Sequence, residues 1–290
     1  EEISDLADGV IAAALERRLQ DGARSGEALP RFCIVAFGKL GGRELNYSSD
    51  IDLLGVCAGA GDRADDGDRT DADPVETASS LMEAIRGDLS AHTVEGYAYR
   101  VDLRLRPYGT SGQLVFTIPA LDDYYAQHAA PWELQALLKA RPIAGDLSLG
   151  REFLDSMQGL LLAAHPHAEV AASIDRLRRE ALKGLARSVL STTDIKTGLG
   201  GLRDIEFLTQ GLVLVHAHRQ PSLLHGATLP ALRALGDAAI LPLDLVEHLS
   251  DDYLFLRRVE HFLQIYEDRQ THSLPRDPAQ LRALARLMLG

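Results

Sequence analysis

"FGKLGGRELNYSSDIDLL", residues 37–54, places a glycine-rich, lysine-bearing turn ahead of two aspartates that share one isoleucine between them. The apolar run RFCIVAF, 31–37, leads into it, and DIDLLGVCA, 50–58, carries it on. Both runs read as buried strands, the first ended by glycine. Asp50 and Asp52 stand two apart on the second strand, a spacing that puts both side chains on one face. Two like charges side by side on a mostly buried strand are costly unless cations lie between them. Asn46, Ser48 and Ser49 are short and polar and suit a turn.

Working outward, YAYRVDLRLRP at 97–107 alternates and reads as a third strand, with Asp102 alone between Val101 and Leu103. QLVFTIP at 113–119 reads as a fourth. If the strands at 51 and 101 are neighbours, Asp50, Asp52 and Asp102 converge. Three carboxylates on one face suit a hard divalent cation such as Mg²⁺, with phosphates completing its shell. Gly38, Gly41 and Gly42 let the backbone approach a phosphate chain and offer N–H groups to it. Ser49 joins them as a nucleotide-binding candidate. Lys39, Arg104 and Arg106 can add charge to a phosphoryl group. An arginine on an alternating strand is equally a solvated or salt-bridged surface residue. The P-loop order GxxxxGK[ST] is missing, and so is GxGxxG. The sequence of strand, glycine-rich turn, DxD strand and a later lone aspartate points to nucleotidyl transfer.

The bulk numbers bound the alternatives. Hydrophobic residues make up 46% of the 290, enough for a full core, and the formal net charge is −12. An acidic chain is a poor binder of a nucleic-acid polymer, which needs a basic surface. Cys33 and Cys57 sit in apolar strand runs and read as buried free thiols rather than a disulfide or metal pair. No run is apolar enough to span a membrane, and the N-terminus is charged and amphipathic rather than a signal peptide, so a cytoplasmic location is expected.

Residues 3–20 read as an amphipathic helix, and Pro74 opens another. The Gly/Asp-rich segment at 59–73 reads as a solvated loop. From about residue 119 the periodicity turns helical and stays so to the end. The expectation is an α+β fold: a small mixed sheet with its helices over 1–150, then an all-α bundle over 151–290. Within the second part, Gly198, Gly200 and Gly201 mark a tight turn before a helix starting near Leu202. Asp204 falls in its first turn, where capping is the ordinary role, and Lys196 and Arg203 near it could instead face the catalytic cleft. His216 and His218 read as plain helix residues, and Trp132, Tyr124 and Tyr125 as core. Both ends of the chain stop inside helical patterns, so a piece of a longer polypeptide is expected.

The order hG-K, D-h-D-h, h-D-h resembles the DNA-polymerase-β-type nucleotidyltransferase superfamily. FGKLGGRELNYSSDIDL, YRVDLRLRPYGTSGQLV, WELQALLKARPIAGD, DIKTGLGGLRDIEFLTQ and LRRVEHFLQIYEDRQTHSLP together resemble the glutamine synthetase adenylyltransferase family, from about residue 30 to 275. Lys39 stands where the superfamily usually has serine, and the family itself carries this lysine. The resemblance implies two Mg²⁺ ions held by Asp50, Asp52 and Asp102, and ATP or ADP as nucleotide. It also implies glutamine synthetase as protein substrate and a P-II-type nitrogen-signalling protein as regulator. That family joins two related halves: one moves AMP from ATP onto a tyrosine of glutamine synthetase, the other removes it by phosphorolysis, giving ADP. One DxD core implies one half. ELNYSSDIDL and YLFLRRVEHFLQIYEDRQTHSLP lean to the removing half, WELQALLKAR and DIEFLTQ to the adenylylating one, and removal is the expectation. A module that binds a nucleotide or regulator without chemistry is the reading from a different class.

Overall fold

The computed structural model describes residues 1–25, 30–59, 73–186, 194–267 and 270–289. The Gly/Asp-rich segment read as a loop lies, over 60–72, outside the described residues. The chain parts into two compact units, Glu1–Leu45 with Ser49–Leu161, and Asn46–Ser48 with Leu162–Gly290.

The first unit is built on a five-stranded mixed sheet. β1 (Phe32–Phe37) and β2 (Ile51–Cys57) pair antiparallel at its centre, joined through α2 (Gly38–Gly41), a single turn. β5 (Arg141–Gly145) pairs antiparallel with β1, while β3 (Val101–Asp102) and β4 (Val115–Thr117) both pair parallel with β2. All six residues of β1 are buried because both faces of the sheet are covered. One face packs on α1 (Glu2–Ser25) and α3 (Pro74–Ser90): Ala7, Ile11 and Leu15 meet Ile34, Leu53, Met82 and Ile85 in one core. Each of these Ile, Leu and Met side chains contributes roughly 1.5–3 kcal/mol through the apolar area it removes from water. The other face packs on α6 (Leu147–Leu161), where Gly150 comes so close that a Cβ there would lie 2.6 Å from Cys33 Sγ. Local chemistry sets the helix starts. Asp73 caps α3 by accepting from the Val75 N–H at 3.0 Å, with Pro74 in the first turn.

Two expectations change. The third strand is two residues long, not eleven. Its continuation is diverted because the Arg104 N–H donates to a side chain two residues back, Asp102 Oδ1, at 2.8 Å instead of to a strand. The pattern after residue 119 is not helical throughout. α4 (Ile118–His128) ends before α5 (Pro131–Leu137), which Pro131 opens, and β5 follows. β5 carries Pro142 and Gly145, residues that disguise a strand, and a proline is tolerated there because β5 lies at the sheet edge. The expected division at residue 150 falls within α6.

The second unit is helical: α7 (His167–Ala186), α8 (Leu202–His216), α9 (Thr228–Asp237), α10 (Leu243–Glu267) and α11 (Pro278–Leu289). Leu202, Ile205, Leu232, Val246 and Tyr253 form one core, and Ile195, Val259, Leu263 and Leu284 another. Among the described residues no helix is long and apolar enough to cross a membrane.

Candidate active site

The carboxylates gather where β2 begins. The parallel register sets Asp52 opposite Asp102, and the antiparallel register sets Asp52 opposite Phe37, the residue before Gly38. Asp50 lies two residues ahead of Asp52, just before the strand, so the face they share is the one opposite Ile51 and Leu53, which are in the core.

Gly38 lies against this edge. Its φ is +56°, in the left-handed region, and a Cβ there would fall 2.2 Å from Asp52 Oδ2. Glycine is required on both counts: backbone conformation and contact with the carboxylate. Gly41 has a different reason to be glycine. It is buried, and a Cβ would fall 2.0 Å from the Lys139 carbonyl oxygen and 2.7 Å from that of Ala36. Gly42 is buried too, while Lys39 and Ser49 are half-buried.

Arginines hold the carboxylates. Arg100 Nε donates to Asp50 Oδ1 at 2.6 Å, and its guanidinium lies 5.8 Å from the centre of the Tyr97 ring. Arg104 clasps Asp102 through its backbone N–H and through Nε, 2.9 Å from Oδ2. Burial pushes the Asp102 carboxyl up, but the hydrogen bonds from Arg104 outweigh it and hold the group below the usual carboxylate value. Asp102, Asp52 and Asp50 all raise the pKa of Arg104, after its hydrogen bond to Asp102, so one guanidinium lies within the field of all three. Arg106 has another duty: it donates to the carbonyls of Leu103 and Gly112 and so closes the loop between them. Burial lowers its pKa. Asp50, Arg100, Asp102, Arg104, Arg106 and Thr110 line one open cleft.

Among the described residues no three His, Cys, Asp or Glu side chains are arranged to hold a metal ion as they stand. The donor set nonetheless suits a hard cation. It is all carboxylate oxygen, two of the three groups, Asp52 and Asp102, are register partners, and Asp50 and Asp102 are each paired with a guanidinium group that a cation could replace.

Arg100 escaped the sequence reading because a basic residue in an alternating run carries no mark of its partner. Lys139 and Arg141 escaped it for the same reason. Lys139 Nζ pairs with Glu44 at 2.7 Å in a nearly buried bridge, and Arg141 pairs with Asp8. In the helical unit Asp204 accepts from the Gly200 N–H at 2.9 Å and from Arg178 at 2.8 Å, the capping role expected for it. Arg203 lies over the Phe207 ring, and His218 Nδ1 is bonded to the Val215 carbonyl oxygen. Tyr125 is buried as expected of a core residue, and Tyr124 donates its hydroxyl to Glu133 at 2.7 Å. Cys33 and Cys57 are buried and free.

The profile of the glutamate-ammonia ligase adenylyltransferase family matches residues 1–156, and that described as GlnD PII-uridylyltransferase matches residues 168–289. Similar curated proteins are each named bifunctional glutamine synthetase adenylyltransferase/adenylyl-removing enzyme. The one from Cutibacterium acnes is 40% identical over 285 residues, 98% of this chain and 28% of the relative. The one from Streptomyces coelicolor is 39% identical over 286 residues, with the same coverage of both. The one from Xanthobacter autotrophicus is 36% identical over 304 residues, 99% of this chain and 30% of the relative. The chain therefore spans under a third of the length of these relatives.

Proposed function

We propose, from the premise that the chain belongs to the glutamate-ammonia ligase adenylyltransferase family, that it is one catalytic half of an enzyme that reversibly adenylylates glutamine synthetase. The observation that carries this reading is the register of Asp52 against Asp102 beside the Gly38 turn. The direction we assign is removal of AMP from the modified tyrosine with inorganic phosphate, giving ADP. The wording of ELNYSSDIDL and of the stretch ending in EDRQTHSLP supports it. The premise also favours a P-II-type signalling protein as regulator and a cytoplasmic location, and the acidic charge argues against a nucleic-acid polymer as substrate.

Asp50, Asp52 and Asp102 would hold divalent ions, Mg²⁺ by preference for an all-oxygen set, which when bound neutralise charge on the attacking and leaving oxygens. Asp102 would hold one of these ions and help activate the attacking oxygen. Gly38 and Lys39 would receive the phosphate, with Gly42 and Ser49 shaping the turn around it. Gly41 would serve by its close fit rather than by contact. Arg104, mostly exposed and bonded, among the described residues, to Asp102 two positions before it, is the side chain best placed to turn toward a phosphoryl oxygen. Arg106 would keep the loop that borders the cleft.

The test supplies AMP-modified glutamine synthetase, Mg²⁺ and phosphate, and follows ADP release, with a chain carrying Asp50→Asn and Asp52→Asn beside it. ADP from the native chain and none from the variant is the expected result. AMP incorporation from ATP into unmodified synthetase, without ADP release, assigns the adenylylating direction instead. Neither reaction, with nucleotide still bound, assigns a binding module.

A further inference from the structure

The glycine turn is held from behind by α1 and the start of β5. Arg141 Nη1 and Nη2 donate to the two carboxylate oxygens of Asp8 at 2.6 and 3.0 Å. Its Nε and Nη2 also donate to the carbonyls of Gly41 and Leu40, at 3.2 and 2.9 Å. One planar guanidinium thus ties the end of α2 to α1. The backbone of Arg141 is itself registered opposite Ala36, two residues before Gly38. The Lys139–Glu44 bridge and a bond from the Leu45 N–H to Ser4 Oγ at 3.1 Å tether the rest of the turn.

We propose that Arg141 is a positioning residue: by locking the Leu40 and Gly41 carbonyls to Asp8 it fixes where Gly38 and Lys39 stand, beside Asp52, for a nucleotide phosphate. This rests on the reading of the turn as phosphate-binding. Asp8 cancels the charge of Arg141, so its contribution is geometric rather than electrostatic attraction of the ligand. A lysine at 141 has one nitrogen on a flexible stem and cannot serve two carbonyls and a carboxylate in one plane. Arg18 offers the control. It ties α1 to Asp88 of α3 at 2.7 Å, and among the described residues its side-chain hydrogen bonds go to that carboxylate.

Calorimetric titration of ADP into the chain with Mn²⁺ present, and of Mn²⁺ alone, tests the role. Arg141→Lys is expected to weaken ADP binding about tenfold, the cost of a small misplacement of the contacts, while Mn²⁺ alone binds as it does to the native chain. Asp8→Asn keeps an acceptor for Arg141 and is expected to lose less. Arg18→Ala is expected to lower the melting temperature with ADP affinity unaltered. An Arg141→Lys chain that binds ADP like the native one overturns the positioning role and leaves the phosphate reading of the turn intact. So does a loss of ADP affinity that Arg18→Ala reproduces. A native chain that binds no ADP overturns both.

Discussion

At Gly38 backbone and chemistry meet in one atom: the hydrogen that replaces a side chain faces the Asp52 carboxylate. Gly38→Ala is expected to cost roughly 1–2 kcal/mol for a left-handed non-glycine residue. It is also expected to slow nucleotidyl transfer about a hundredfold by displacing Asp52. Urea unfolding and the ADP-release assay read the two effects separately, and a stable variant with native activity would show that the place of Asp52 is not critical. Arg104 predicts an opposite sign. Its side chain is 72% exposed, so its pair with Asp102 adds little to stability. Arg104→Ala frees Asp102, and Mn²⁺ without nucleotide is expected to bind about two- to fivefold more tightly. Unchanged or weaker binding in titration calorimetry would mean that the pair does not compete with a cation. The carboxylates were legible in the sequence because spacing alone puts Asp50 and Asp52 on one face and because Asp102 is isolated among apolar neighbours. Their arginine partners were not, since a guanidinium reaches its acid through space; Arg100 and Asp50 are fifty positions apart.

Elements differ in how they tolerate a methyl group. At Gly41 the obstacle is backbone, the Lys139 and Ala36 carbonyls, which cannot swing away. At Gly211, on α8, it is the tip of Ile174 Cδ1, at 2.5 Å, which can. Gly41→Ala is expected to destabilise by about 3 kcal/mol and Gly211→Ala by about 1 kcal/mol. Equal losses by urea denaturation would refute the distinction. Long, strongly patterned elements such as α1, β1, β2 and α3 were readable because their periods repeat. β5 was not, since a five-residue edge strand with a proline and a glycine shows no period at all. β3 was overread because alternation persisted in residues whose hydrogen bonds go elsewhere.

Over the whole molecule, the change from alternating to helical pattern announced a sheet followed by a bundle, and the cores of the two units are built from different residues. Burial pushes the Cys33 thiol up to about 12 and that of Cys57 to about 11, against about 8.5 in an unfolded chain. A folded pKa above the unfolded one means that this contribution to stability is complete below pH 8.5. It is lost as the pH climbs through 11 and 12. Unfolding free energies measured from pH 8 upward should therefore decline. At pH 8 a thiol reagent should label neither cysteine in the native chain and both in urea, and labelling of the native chain would contradict their burial. The two-residue length of β3 carries a last consequence, one of insertion and deletion rather than substitution. Val101 and Asp102, with the Arg100 carbonyl accepting from the Ile51 N–H at 2.9 Å, fix the alignment with β2, and alternate strand positions face opposite ways. Adding or removing one residue between Tyr99, which is bonded to Leu89 and Ser90, and Asp102 would turn Asp102 from the cleft toward the core while most of the sheet stayed intact. The number of residues in that connection is thus as much a part of the site as their identity, and a library varying only its length should lose activity well before it loses folded protein.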